Sequence, residues 1–188
     1  MANGSDKFKE AYRHIFRIMK DEGADNVIRV FHVNNRDDPN ESWNRLEQYY
    51  PGDEWVDWIG VSVYGAQKTS DSEYPQFREL MDEVYPKLSS LSSSKPIALL
   101  EFGVTSGHPY VDQADWASNA LKDITSSRWP RLIGFSWWNE TWDNEDHTVT
   151  NMRLQDNPNL TKVFNSFVGM QNKVLGKMLI QDHSLQGS

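Results

Sequence analysis

The stretch KPIALLEFGV, Lys95 to Val104, carries a single carboxylate, Glu101, at the end of an otherwise apolar run. A carboxylate emerging from an apolar wall is suited to nucleophilic or general acid–base work if a ligand site lies at that end of the strand. The alternative is a structural glutamate paired with an arginine or a backbone amide. Strict strand alternation sets Ile97, Leu99 and Glu101 on one face and Ala98, Leu100 and Phe102 on the other. Tyr64 closes a second apolar run, WIGVSVYG, in a similar way and is a candidate hydrogen-bond donor to Glu101. His32 and Asn34 end a third run, VIRVFHVN. A fourth, RLIGFSWWNE, brings Trp137, Trp138, Asn139 and Glu140. Flat indole faces suit the C–H faces of sugar rings, and Glu140 is a second carboxylate that can reach the same rim. Each of these residues also has an ordinary reading: a strand-end aromatic, a hydrogen-bonded neighbour, a solvated loop glutamate.

Other chemistries lack their residues. There is no cysteine in the 188 residues, which removes disulfides, thiolate metal sites and cysteine nucleophiles together. The five histidines show no metal-binding spacing, no Gly-rich phosphate loop or GxSxG elbow is present, and no cofactor or metal is expected. A formal charge of −8 without a basic stripe argues against nucleic acid as a partner. No apolar run approaches the roughly 20 residues that cross a bilayer, so no membrane partner is expected. The amino terminus, MANGSDKFKE, has no apolar stretch of signal-peptide type. The chain as written reads as cytoplasmic or as a piece of something longer, which leaves its localisation open.

The elements that must carry these groups follow from periodicity. Phe8, Ala11, Tyr12, Ile15, Ile18 and Met19 form one helical stripe within residues 7–22, with Gly23 as the cap. The first strand follows, then short helical turns in SWNRLEQYY, then the second strand closed by Gly65. Phe77, Leu80, Met81, Val84, Leu88 and Leu91 predict a helix that Pro86 kinks or shortens. The strand bearing Glu101 comes next, then a helix capped by Asp112, then the fourth strand. Thr141 to Pro158 reads as a polar loop before a last helix through Phe167, with Leu175 and Leu179 extending its pattern. Strict alternation of helix and strand predicts an α/β fold with a parallel sheet. Ligands of such sheets sit beyond the carboxyl ends of the strands, where all four runs deliver polar or aromatic groups. Residues 1–180 read as a single domain and 181–188 as a polar tail.

The blocks KEAYRHIFRIMKDEGADNVIRVFHVN, YYPGDEWVDWIGVSVYG, KPIALLEFGV and RLIGFSWWNE, in this order and spacing, resemble the carboxyl-terminal half of glycoside hydrolase family 26. These are β-mannanase-type retaining enzymes built on a (β/α)8 barrel. The resemblance spans residues 8–140 and implies a half TIM barrel, strands five to eight. It implies that Glu101 is the catalytic nucleophile and that Tyr64 supports it. An aromatic under the cleaved sugar maps to Trp137, with Trp138 as the second candidate, and His32 lies near substrate. The substrate implied is a β-linked oligo- or polysaccharide, and full-length relatives are often secreted.

One expected residue has no counterpart. The family's general acid/base ends the fourth strand, ahead of the helix that opens this chain. A retaining glycosidase needs two carboxyl groups about 5–5.5 Å apart. The chain alone is therefore expected to have little or no activity, and to form a homodimer or to join a complementary amino-terminal half-barrel. Two alternatives stay open: a carbohydrate-binding or interaction module without catalysis, and an enzyme in which Glu140 takes the acid role.

Overall fold

The computed structural model describes residues 4–169. Leu175, Leu179 and the tail 181–188 lie outside the described residues. Four apolar runs form strands β1 (Val30–Asn34), β2 (Trp58–Tyr64), β3 (Ile97–Gly103) and β4 (Leu132–Trp137). They pair in parallel in the order β1-β2-β3-β4. Helix α1 (Gly4–Asp21) precedes them, and α2 (Leu46–Tyr49), α3 (Phe77–Leu91) and α4 (Gln113–Thr125) make the crossovers. Helix α5 (Pro158–Phe167) follows. Parallel neighbours need such crossovers, so every strand ends at the same edge of the sheet. The result is a partial (β/α) barrel.

Gly23 ends α1 as its sequence predicts. Its φ is +74°, and Ala24 and Gly23 donate to the carbonyls of Met19 and Lys20 at 2.9 and 3.0 Å. That pair of bonds closes a helix on a left-handed glycine. The apolar stripe of α1 is another matter. The helix packs through Tyr12, Phe16 and the stem of Arg13, while Ile15 is 55% exposed and Ile18 and Met19 also face outward. Pro86 does not shorten α3, which runs on to Leu91. Proline removes the hydrogen bond to the carbonyl of Asp82, and both residues lie on the exposed face, where water replaces it.

The core lies between the sheet and its helices. Ile59, Val61, Val63, Ile97, Leu99 and Phe102 point into it, against Phe77, Leu80, Met81, Val84 and Leu88 of α3 and Trp116, Ala120 and Leu121 of α4. Burying each large apolar side chain contributes about 1.5–3 kcal/mol. On β2, therefore, odd-numbered positions face the helices, while Gly60, Ser62 and Tyr64 face the open side.

Strict alternation fails on β3. Val61 pairs with Leu99, but the next residue, Ser62, pairs with Glu101, and Val63 pairs with Phe102. Leu100 is the extra residue of a β-bulge. The expected grouping of Ile97, Leu99 and Glu101 on one face is thus corrected: Phe102 joins Ile97 and Leu99 in the core, and Glu101 turns to the open side with Ser62. Leu100 shares that side, since a Cβ on Gly60 would stand 2.6 Å from Leu100 Cδ1. Position 60 must therefore be glycine.

Thr141 to Pro158 is not simply a loop. It contains an antiparallel hairpin, β5 (Thr141–Asp143) and β6 (Val149–Asn151), and a 3-10 turn at Leu154–Asp156. The hairpin is bound to the loops above the main sheet. Thr150 Oγ1 donates to the Gln67 carbonyl at 2.6 Å, and Ser106 N–H and Gln113 Nε2 donate to the Asn151 carbonyl at 2.8 and 3.0 Å. Its stability comes from these tertiary bonds, which polar strands of three residues do not announce.

Candidate active site

Glu101 stands half-buried near the carboxyl end of β3, on the open side of the sheet. Tyr64, at the end of the neighbouring β2, donates its hydroxyl to Glu101 Oε2 at 2.9 Å. Burial chiefly, then the hydrogen bond to Glu101 and its negative charge, push the Tyr64 phenol well above its ordinary pKa. The phenol stays protonated and the carboxylate keeps its donor. One row further along β1, His32 Nε2 and Ser62 Oγ share a 2.7 Å hydrogen bond. Ser62 is buried and was not singled out in the sequence, although its period-two spacing with Gly60 and Tyr64 places it on the same face. Asn34, exposed at the end of β1, lines a cleft of about 750 Å³ with Tyr64, Gln67, Lys68, Asp71 and Pro75. The cleft walls are cross-braced by Lys68–Asp146 at 2.8 Å and Arg36–Glu73 at 3.0 Å.

The two tryptophans separate. Trp137 turns to the helix layer: its ring meets Phe102 at 5.1 Å, Phe164 at 5.3 Å and Trp116 at 6.3 Å between centroids. Its Nε1 donates to the Met152 carbonyl at 2.6 Å. An indole enclosed in this way has no face free for a sugar, so the first-choice platform is corrected to a packing residue. Alternation puts Trp138, which is 38% exposed, on the opposite side with Gly134 and Ser136. Glu140 is exposed, and its carboxylate makes no hydrogen bond or ion pair among the described residues; its backbone carbonyl accepts from Met152 N–H at 2.9 Å. The structure thus brings Tyr64 and Glu101 into contact, sets His32 against Ser62 on the same face, and removes Trp137 from that face. Among the described residues no three His, Asp or Glu side chains converge as a metal site would require.

Residues 2–147 match the profile of glycosyl hydrolase family 26. The chain belongs to that family. Among curated relatives, Endoglucanase H of Acetivibrio thermocellus is 28% identical over 169 residues, 89% of this chain and 17% of the relative. Mannan endo-1,4-beta-mannosidase of Bacillus subtilis is 28% identical over 136 residues, 72% of this chain and 31% of the relative. The family 26 chain therefore spans less than a third of the length of either. Among solved structures, the GH26 domain of a Prevotella bryantii endo-beta-mannanase/endo-beta-glucanase superposes with a TM-score of 0.53 at 25% identity, covering 92% of this chain and 41% of that one. A Cellulomonas fimi endo-beta-1,4-mannanase double mutant gives a TM-score of 0.62 at 20% identity over 92% of this chain and 37% of its own, a likeness of fold.

Proposed function

We propose that the chain carries the nucleophile half of a retaining β-glycanase site, acting on β-linked mannan or glucan, with Glu101 as nucleophile and Tyr64 orienting it. The observation that carries this reading is the Tyr64–Glu101 hydrogen bond, 2.9 Å long, at the carboxyl ends of adjacent parallel strands. In the first step a bond forms between a Glu101 oxygen and the anomeric carbon as the bond to the leaving oxygen breaks. In the second, water attacks that carbon and Glu101 is released as a carboxylate. The leaving oxygen needs a proton from a second carboxyl group about 5–5.5 Å away. We assign that group to a partner, either another copy or a complementary half-barrel. General acid catalysis is typically worth about 10²–10⁴-fold, so polysaccharide turnover by the chain alone should fall by about that factor. His32 and Trp138 are proposed to line the sugar path, and Asn34 its edge.

The nucleophile can be tested without the acid. A 2-fluoro glycoside bearing a dinitrophenyl leaving group needs no protonation, so it should add one glycosyl unit to the peptide containing Glu101. The adduct should disappear in Glu101→Gln. A wild-type chain that stays unlabelled by both the manno and gluco reagents overturns the assignment.

A further inference from the structure

We infer that Tyr74 and Tyr110 form a second, distal sugar platform that extends the cleft away from Glu101 and holds a β-1,4-linked polysaccharide. The inference deepens the proposed glycanase reading and rests on it for the class of ligand. The two rings come from different loops, after β2 and after β3, and stack with centroids 5.6 Å apart at 30°. Tyr110 keeps 75% of its surface accessible and Tyr74 42%, so the pair is open to solvent rather than spent on packing. Aromatic rings of this size ordinarily go inside, and two stacked at the surface form a ready apolar floor with hydroxyls at its rim.

The floor is rigid. His108, buried between the loops, makes two hydrogen bonds: its Nδ1 accepts from Tyr110 N–H at 3.2 Å, and its Nε2 bonds the Asp71 carbonyl at 3.0 Å. The ring of His108 lies 5.3 Å from Tyr74 and 6.0 Å from Tyr110. Asp71 in turn accepts from the Gln67 and Lys68 amides at 2.8 and 2.9 Å, and Pro75 holds the buried Trp116 indole through its carbonyl at 3.0 Å. A platform fixed before binding loses little conformational freedom when a sugar arrives. It is also continuous with the cleft. Glu73 and Pro75, on either side of Tyr74, both line it, and so does Tyr64, the donor to Glu101. A linear glycan running out from Glu101 along this wall reaches Tyr74 next. Sugar rings present their C–H faces to aromatic faces and their hydroxyls to the polar walls, a match that peptides and nucleic acids do not make in a cleft rimmed by Asp37, Asp38 and Asp71.

Retardation of the full chain in native gels containing soluble galactomannan or hydroxyethyl cellulose tests the platform. Wild type should be retarded by at least one of the two, which also separates a mannan from a glucan path. Tyr110→Ala and Tyr74→Ala should each weaken retention roughly two- to tenfold, and the double variant should abolish it. Tyr110→Phe should retain binding, since the ring is kept, and thermal melting verifies that each variant is folded. Glu101→Gln should be retarded like wild type. Absence of retardation in wild type, or unchanged retardation of a folded double variant, overturns the platform. Failure of Glu101 labelling with retardation intact overturns the nucleophile reading instead.

Discussion

Tyr64 and Glu101 share one hydrogen bond, but the fold perturbs the phenol rather than leaving the pair balanced. Burial first, and the neighbouring carboxylate second, disfavour the tyrosinate. The sign follows: the neutral phenol is favoured in the folded state, so its contribution to stability is complete below the ordinary tyrosine value near 10 and is lost as pH rises beyond it. Across neutral pH the donor is therefore fixed. Tyr64→Phe keeps the ring and deletes only the hydroxyl; hydrogen bonds to charged groups are worth about 1.5–3 kcal/mol. The rate of fluoroglycoside labelling at Glu101 should drop about tenfold or more in this variant, while the thermal midpoint changes little. The 2.9 Å contact was within reach of sequence reasoning because both residues end strands on the same edge. What periodicity missed was the side on which Glu101 stands, because a bulge depends on the partner strand and leaves no pattern in its own.

At the scale of elements, the four strands, α3, α4 and both caps were legible because each rests on a local pattern: apolar runs, helical spacing, a glycine, an aspartate. The β5–β6 hairpin was not, since its bonds go to Gln67, Ser106 and Gln113, far away in sequence. Tyr74 and Tyr110 were likewise invisible, being single loop residues that meet only through His108. The opposite, amino-terminal edge of the sheet is held by charge. Arg29 Nε and Nη2 grip both Asp57 oxygens at 2.8 and 2.6 Å, and the Arg29 amide adds a third bond at 2.8 Å. Burial raises the Asp57 pKa, but these hydrogen bonds and the guanidinium charge outweigh it and leave it lowered. A lowered carboxylate stabilises the fold above the ordinary carboxylate range and ceases to do so as pH falls through its own value. Asp57→Asn should therefore cost about 1 kcal/mol at pH 7, a modest figure for a partly exposed pair. The gap between variant and wild type in urea midpoint should close as the pH is taken below 4.

For the molecule as a whole, β1 and β4 each pair on one side only among the described residues, and Ile15, Ile18, Met19 and Ile133 lie exposed. Open parallel edges and uncovered apolar groups favour association. Sedimentation at micromolar concentration should reveal a species of about twice the 21.8 kDa chain mass, and a stable monomer would refute self-association. Chemistry and cohesion sit at opposite ends: Glu101, the cleft and the tyrosine platform at one edge, Arg29–Asp57 at the other. Between them, Leu100 sets how the length of β3 can vary among relatives. Removing this one residue restores plain alternation and still leaves Glu101 opposite Ser62. An uncompensated insertion instead turns the carboxylate toward Phe77 and Trp116, where an unpaired charge costs several kcal/mol. When relatives are aligned, a one-residue gap here marks a change in the strand's curvature and leaves the carboxylate's address untouched.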